Sequence, residues 1–265
     1  MDLQLTGKRA IITGGSKGLG LAAAHALARE GVDIVIAARN ENVAKAAAAD
    51  VAARSGRRVI VIPTDTGDDA SVRALVERAV EELGGIDILV NSASNQQVGR
   101  GYQRLADTTD QVFWDDVNIK VVGYLRTARA VAPHLVKQGW GRIINISGLG
   151  ARQAQSIVRT IRNVSVSALT KNLADELGPH GVNVTVVHPG TTRTETLAQR
   201  LQTQADLQGV PVAEIERTKF KNSIGRIVDA SEVADVITFL ASPRSVAING
   251  DAIAVGGGQP GVVHY

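Results

Sequence analysis

The sequence predicts a doubly wound α/β fold, a parallel sheet between two helical layers, and three observations predict it. Short apolar runs alternate with longer amphipathic stretches almost from end to end. The short runs are apolar without alternation, as strands buried on both faces must be. A glycine-rich segment, Thr13-Gly14-Gly15-Ser16-Lys17-Gly18-Leu19-Gly20, joins the first such run to the first helical stretch. Repetition of strand and helix implies parallel pairing through right-handed crossovers, hence three α/β/α layers.

In chain order, the strands expected are Arg9 to Thr13, Asp33 to Ala37, Val59 to Ile62, Ile86 to Asn91, Arg142 to Ile146, Val182 to Val187 and Asp251 to Val255. Helices are expected to begin near Gly18, Asn42, Asp69, Thr109, Ser156 and Ala230. No Pro-rich or Ser-rich linker interrupts the pattern, so residues 1–265 read as a single domain. The least regular stretch, 191–223, is polar and helix-like and reads as a mobile flap beside the site.

Hydrophobic residues make up 44% but aromatics only 3%. Small aliphatic side chains must therefore fill the interior, which suits helices packed tightly on a parallel sheet. The net charge of +3 is spread among interspersed acids and bases, leaving no concentrated patch for a nucleic-acid backbone. Cysteine is absent, which excludes disulfides and thiolate metal sites and fits a reducing cytoplasm. No His, Asp and Glu cluster has metal-ligand spacing, so no metal is expected. Met1-Asp2-Leu3-Gln4-Leu5 lacks the basic-then-apolar pattern of a signal peptide. No segment approaches the roughly 20 apolar residues that span a bilayer. These properties point to a cytoplasmic protein with neither a membrane nor a nucleic-acid partner.

The glycine turn points to a ligand. Gly14 permits a tight turn, while Gly18 and Gly20 allow phosphate and helix to approach the strand closely. Free amides at the helix N-terminus then receive a pyrophosphate. The second strand decides which dinucleotide is held. A binder of NAD usually ends that strand with an acid on the ribose hydroxyls; here it ends Ala37-Ala38-Arg39-Asn40. Arg39 can stack on adenine and fork onto a 2′-phosphate, and Lys17 adds a second cation, so NADP(H) is favoured over NAD(H).

With these motifs the chain resembles the short-chain dehydrogenase/reductase family along essentially its whole length. The resemblance implies an NAD(P)-binding Rossmann domain with a substrate loop at about 191–223. It implies cofactor contacts from the turn residues Gly14, Ser16, Lys17, Gly18, Leu19 and Gly20, and from Arg39. Asp65, with Thr66, follows the third strand and corresponds to the family residue that bonds the adenine amino group. Asn91 and Ala93 lie in Asn91-Ser92-Ala93-Ser94, usually Asn-Asn-Ala-Gly in the family, so half of that motif has changed. Pro189-Gly190-Thr191-Thr192-Arg193-Thr194 matches the segment that holds the nicotinamide carboxamide, adding Pro189, Gly190, Thr192 and Thr194. Ile248-Asn249-Gly250 through Gly256-Gly257-Gly258 resembles the C-terminal strand of family oligomers, which implies a homo-oligomer, a tetramer or dimer.

The chemical half departs from the pattern. Family members use a tyrosine acid, a lysine four residues on, a serine and an asparagine. Counting back from Val186-Val187-His188-Pro189-Gly190 puts Arg159 at the tyrosine position and Asn163 at the lysine position. The usual serine falls on Gly148, with Ser147 one residue early. Lys120 falls at the asparagine position, although a two-residue slip would give Asn118 instead. Two readings stay open. In one, lysine and asparagine have traded helices, Lys120 is the acid or electrostatic stabiliser, and Asn163, Arg159 or Ser147 binds the substrate oxygen. In the other, these are solvated or ion-paired helix residues and the redox site is gone.

Tyr102 in the loop after the fourth strand and His188 beside Pro189 are weaker donors; Tyr124 reads as core or interface, and His25 and His134 as surface. The function expected is an NADP(H)-dependent oxidoreductase acting on a small-molecule carbonyl/alcohol pair with an atypical acid. The alternatives are a catalytically silent dinucleotide-binding protein and a non-redox enzyme using Lys120 and Arg159.

Overall fold

A computed structural model describes residues 1–94, 105–154 and 156–260. The chain begins with β1 (Arg9–Thr13), α1 (Gly18–Arg29), β2 (Asp33–Ala38), α2 (Glu41–Ser55), β3 (Val59–Pro63), α3 (Asp69–Leu83) and β4 (Ile88–Asn91). It continues with α4 (Asp110–Val117), α5 (Gly123–Gln138), β5 (Gly141–Ile146), α6 (Ile157–Leu177) and β6 (Val182–Pro189). The last elements are β7 (Thr192–Arg193), α7 (Glu195–Gln208), α8 (Val212–Lys219), β8 (Val228–Asp229), α9 (Ala230–Ala241) and β9 (Ala252–Val255).

The main sheet is seven-stranded in the order β3-β2-β1-β4-β5-β6-β9, and every pairing in it is parallel. The order reverses between β1 and β4, and a doubly wound sheet opens its ligand crevice there, beyond the strand C-termini. This is the three-layer Rossmann architecture that the alternation of strand and helix predicts.

Alternate residues of each strand supply two cores. Ala10, Ile12, Ile34, Ile36 and Ile144 face Ala24 and Leu27 of α1, Val51 of α2 and Ile237 of α9. Ile11, Val35, Leu89, Ile143 and Val184 face Leu75 of α3, Val131 and Leu135 of α5 and Leu177 of α6. Alanine on α1 at positions 23, 24, 26 and 28 is buried and stands where bulkier side chains would push the helix off the sheet. Leu27 is fully buried, so truncating it to alanine costs about 2–5 kcal/mol.

The helix starts are set locally. Asn40, Asp68, Thr109 and Thr194 each accept a backbone N–H at the head of α2, α3, α4 and α7, and Asp229 with Glu232 forms a reciprocal capping box at α9.

The structure departs from the expected elements in two places. The helix expected from Thr109 is interrupted by a π-helical stretch, Asn118–Val122, between α4 and α5. The stretch 191–223 holds β7, which pairs with β8 of Val228–Asp229, followed by α7 and α8. Those two helices close a small core of Leu201, Ala205, Ile215 and Ile227. Among the described residues, no helix is long and apolar enough to cross a membrane.

Candidate active site

The glycine turn has the geometry that its spacing requires. A Cβ at Gly14, whose φ is +67°, would stand 2.9 Å from the backbone of Ala93. One at Gly20 would lie 2.4 Å from the Gly14 carbonyl oxygen. Two backbone segments therefore meet at distances no other residue allows, which sets the turn amides as a cradle at the head of α1. The second strand delivers Arg39 to its C-terminal end, exposed, as is Lys17 in the turn.

Behind the turn, buried polar side chains lock the strand ends together. Thr13 Oγ1 accepts the amides of Ser92 and Ala93 at 3.2 and 3.3 Å. Asn91 Nδ2 donates to Asn145 Oδ1 at 3.0 Å, Asn145 Nδ2 to Thr170 Oγ1 at 2.9 Å, and Thr127 Oγ1 to Asn91 Oδ1 at 2.8 Å. The Asn91 side chain thus serves the scaffold and leaves only its backbone to the cleft. Asp65 is exposed and accepts the Gly67 amide at 2.9 Å, whereas Thr66 is buried against Gly123.

Opposite the turn, Pro189 ends β6 and the Gly190 amide donates to Val255 O at 3.0 Å. Thr192 Oγ1 donates to Gly190 O at 3.0 Å, and Thr194 Oγ1 accepts the Leu197 amide at 3.4 Å. One contact was not foreseen. Glu195 Oε2 accepts the Gly18 amide at 3.0 Å, so a carboxylate sits at the head of α1 where an anion is expected. Its only signal in the sequence is an acid just after a helix-capping threonine. The cradle, the two exposed cations and this anion-accepting amide fit the phosphates of a dinucleotide, and the end of β2 carries no acid to repel a 2′-phosphate.

The other candidates converge at the C-terminal ends of β5 and β6. Lys120 lies in the π-helical stretch, 5% exposed, and its Nζ donates to Ser147 O at 3.1 Å. Asn118 faces elsewhere, its Nδ2 donating to Gly67 O at 3.3 Å, so Lys120 and not Asn118 is directed at β5. Ser147 Oγ donates to Asn163 O at 3.1 Å. Asn163 is 5% exposed, and its Oδ1 has no hydrogen-bond partner among the described residues. A Cβ at Gly148 or Gly150 would stand 3.3 or 3.1 Å from Asn163 Nδ2, so both glycines make room for that amide.

His188 is buried and orders this floor. Its Nδ1 accepts the Gly148 amide at 3.3 Å, which leaves the proton on Nε2, 3.2 Å from Ser167 Oγ. Tyr124 is core, as expected: it is 1% exposed and its hydroxyl donates to Ile146 O at 3.0 Å, with burial pushing its pKa up. His134 is exposed and His25 pairs with Asp50 at 3.2 Å, away from the cleft. Tyr102 lies outside the described residues.

A buried ion pair beside Lys120 is invisible to spacing alone. Arg162 Nη1 stands 2.6 and 2.7 Å from the two oxygens of Asp116. Burial raises the Asp116 pKa even so. Burial first, then the charge of Arg162, draws the Lys120 pKa well below its ordinary value, with Asp116 opposing. Arg159, one turn before Asn163, is exposed. The site thus combines a buried amine that gives up its proton readily, an amide with an unpartnered oxygen and a cation at the rim.

A family model described as Enoyl-(Acyl carrier protein) reductase matches residues 14–259. The short-chain reductase protein NovJ of Streptomyces niveus is 35% identical over 257 residues, covering 95% of this chain and 93% of that protein. The L-sorbose reductase of Gluconobacter frateurii, solved with NADPH and L-sorbose, superposes with a TM-score of 0.90 at 28% identity, over 99% of this chain and 100% of that one. A short chain dehydrogenase from Burkholderia cenocepacia J2315 in complex with NADP gives 0.80 at 31% identity, over 96% and 98% of the two chains. With the glycine cradle, the strand order and these matches in agreement, the chain belongs to the short-chain dehydrogenase/reductase family.

Proposed function

We propose that the protein is an NADP(H)-dependent oxidoreductase acting on a carbonyl/alcohol pair, with Lys120 in the role of proton donor and acceptor. The observation that carries this reading is the Lys120 amino group, buried at the cleft end of β5 and held 3.1 Å from Ser147 O. Supporting it are the exposed Arg39 and Lys17 around an acid-free strand end, and the NADPH and NADP in the sorbose reductase and Burkholderia structures.

When bound, the nicotinamide supplies or takes up a hydride at the carbonyl carbon. The chain's own residues handle the proton and the position. In reduction, Lys120 gives a proton to the carbonyl oxygen as the C–O double bond becomes a single bond; in oxidation, its neutral amine takes the hydroxyl proton back. Burial lowers its pKa from the ordinary lysine value, which makes the protonated amine a readier acid. Ser147 fixes the amine through its carbonyl and tethers Asn163 through its hydroxyl. Asn163 is left to hold the substrate oxygen, and Arg159 adds a positive charge at the rim.

The cofactor contacts follow the turn, Asp65, the backbone of Asn91 and Ala93, and the stretch from Pro189 to Thr194. The reading is completed by a single domain with 191–223 as substrate loop, by a cytoplasmic setting, and by a homo-oligomer formed through β9, which lies at the sheet edge with a partly exposed face.

A second reading, a protein that binds the dinucleotide without turning it over, draws on a different observation. Lys120 and Ser147 each already hold a backbone carbonyl within the protein. Titration with NADPH and NADH by nicotinamide fluorescence, followed by a carbonyl panel in the same cuvette, separates the two. Tight NADPH binding with oxidation by a panel member supports the reductase; tight binding with no oxidation supports the silent binder.

A further inference from the structure

Lys120 owes its place to a π-helical stretch, Asn118–Val122, and such a turn is rare enough that something must hold it. An α-helix advances about 100° per residue, so losing the extra residue of a π turn would swing its side chains by about that angle. Lys120 would then leave Ser147 O, to which it donates at 3.1 Å. The following helix cannot absorb the shift, because Tyr124, Thr127, Ala128, Val131 and Leu135 fix the register of α5 in the interior.

Both ends of the stretch are tied to one loop. Asn118 O accepts the Gly123 amide, the five-residue bond that makes the turn π-helical. Arg126 Nη1 donates to that same oxygen at 3.2 Å, and also to Thr66 O at 3.2 Å. The Asn118 side chain reaches the next residue of the loop, its Nδ2 donating to Gly67 O at 3.3 Å. At the far end Gly123 lies on Thr66: a Cβ there would stand 3.1 Å from Thr66 O and 3.2 Å from Thr66 Cβ. Arg126 is half-buried, and its donor joins two carbonyls that lie 60 and 8 residues from it in the chain. Hydrogen bonds from a charged donor are about twice as strong as neutral ones, so this is the firmest of the ties.

We infer that Arg126 is a positioning residue for Lys120: by joining Asn118 O to Thr66 O it keeps the turn π-helical and the amine directed at Ser147. Asn118 and Gly123 complete the clamp from either end. The effect on turnover rests on the reading of Lys120 as proton donor; the placement of the amine does not.

The test is acetylation of the whole protein by acetic anhydride, with the rate at Lys120 read by mass spectrometry. Arg126→Met keeps the aliphatic stem and removes the donors, whereas Arg126→Lys keeps a charged donor. Lys120 should react at least about tenfold faster in Arg126→Met, the change for one lost charged hydrogen bond, and should return most of the way in Arg126→Lys. The exposed Lys45 and Lys171 should keep their wild-type rates. Unchanged hydrogen exchange in β1 and β5 reports an intact sheet, and Asn118→Ala repeats the test with a milder loss. A Lys120 as protected as in the wild type in both Arg126→Met and Asn118→Ala overturns the inference. Equal rates in Arg126→Lys and Arg126→Met would assign the effect to packing and overturn it too. Turnover is a separate arm: Arg126→Met should lower kcat by a larger factor than it changes KM for the carbonyl. A released Lys120 with kcat unchanged leaves the positioning role standing and removes Lys120 as proton donor.

Discussion

Glu195 and Gly18, 177 residues apart in sequence, meet at the mouth of the glycine cradle: the Gly18 amide donates to the Glu195 carboxylate at 3.0 Å. That amide belongs to the helix terminus that receives a phosphate in a dinucleotide site. A cofactor phosphate seated there would compete with the carboxylate for one region of positive potential.

Removing the charge should favour the cofactor. Glu195→Gln is expected to tighten NADPH about two- to fivefold, in keeping with roughly 0.3–1 kcal/mol for a charge at a helix terminus. Fluorescence titration at low salt measures it. Weaker binding by the variant would mean that Glu195 orders the cradle and does not compete for it.

The proposed role of Arg39 is to set the choice of cofactor. Arg39→Ala should weaken NADPH by about 1–3 kcal/mol, the scale of a charged hydrogen bond, while sparing NADH. An equal loss for both cofactors would refute the 2′-phosphate role.

The buried Asp116–Arg162 pair supports the floor beneath Lys120. Asp116→Ala leaves Arg162 buried, uncompensated and next to a second cation, and should cost about 3–5 kcal/mol in urea unfolding. Replacing both, as Asp116→Leu with Arg162→Met, should recover much of that loss. A double variant as unstable as the single one would show that the pair contributes through shape alone.

Lys120 makes stability depend on pH with a definite sign. Its pKa is lowered on folding, so between the folded value and the ordinary lysine value the unfolded chain binds the extra proton. Stability contributed at this residue must then rise with pH across that window. The urea midpoint of the wild type relative to Lys120→Met should climb toward alkaline pH; a flat difference would place the amine in contact with water.

Much of the scaffold was legible in the sequence, and the reasons are local. β1 to β4 are built on short apolar runs, Gly14 and Gly20 stand where the backbone has no room for a Cβ, and Gly18 adopts a positive φ. The π-helical stretch at Asn118–Val122 was not legible, because a single wide turn leaves the amphipathic period on either side intact. Nor were β7 and β8, at two residues each, long enough to carry a pattern. The electrostatics of the site depend on partners far apart in sequence: Asp116 and Arg162 are 46 residues apart. No spacing rule joins such residues. Lys120 could be placed by register alone, but its burial against Ser147 and its altered acidity arise only when α4, α6 and β5 come together.

Proton transfer through Lys120 is decided by NADPH oxidation with a carbonyl panel, followed at 340 nm for wild type and Lys120→Met side by side. Turnover by the wild type is expected, with a loss of about 10²–10⁴-fold in Lys120→Met, the range for a general acid, and NADPH affinity kept. Turnover unchanged by the substitution would contradict it.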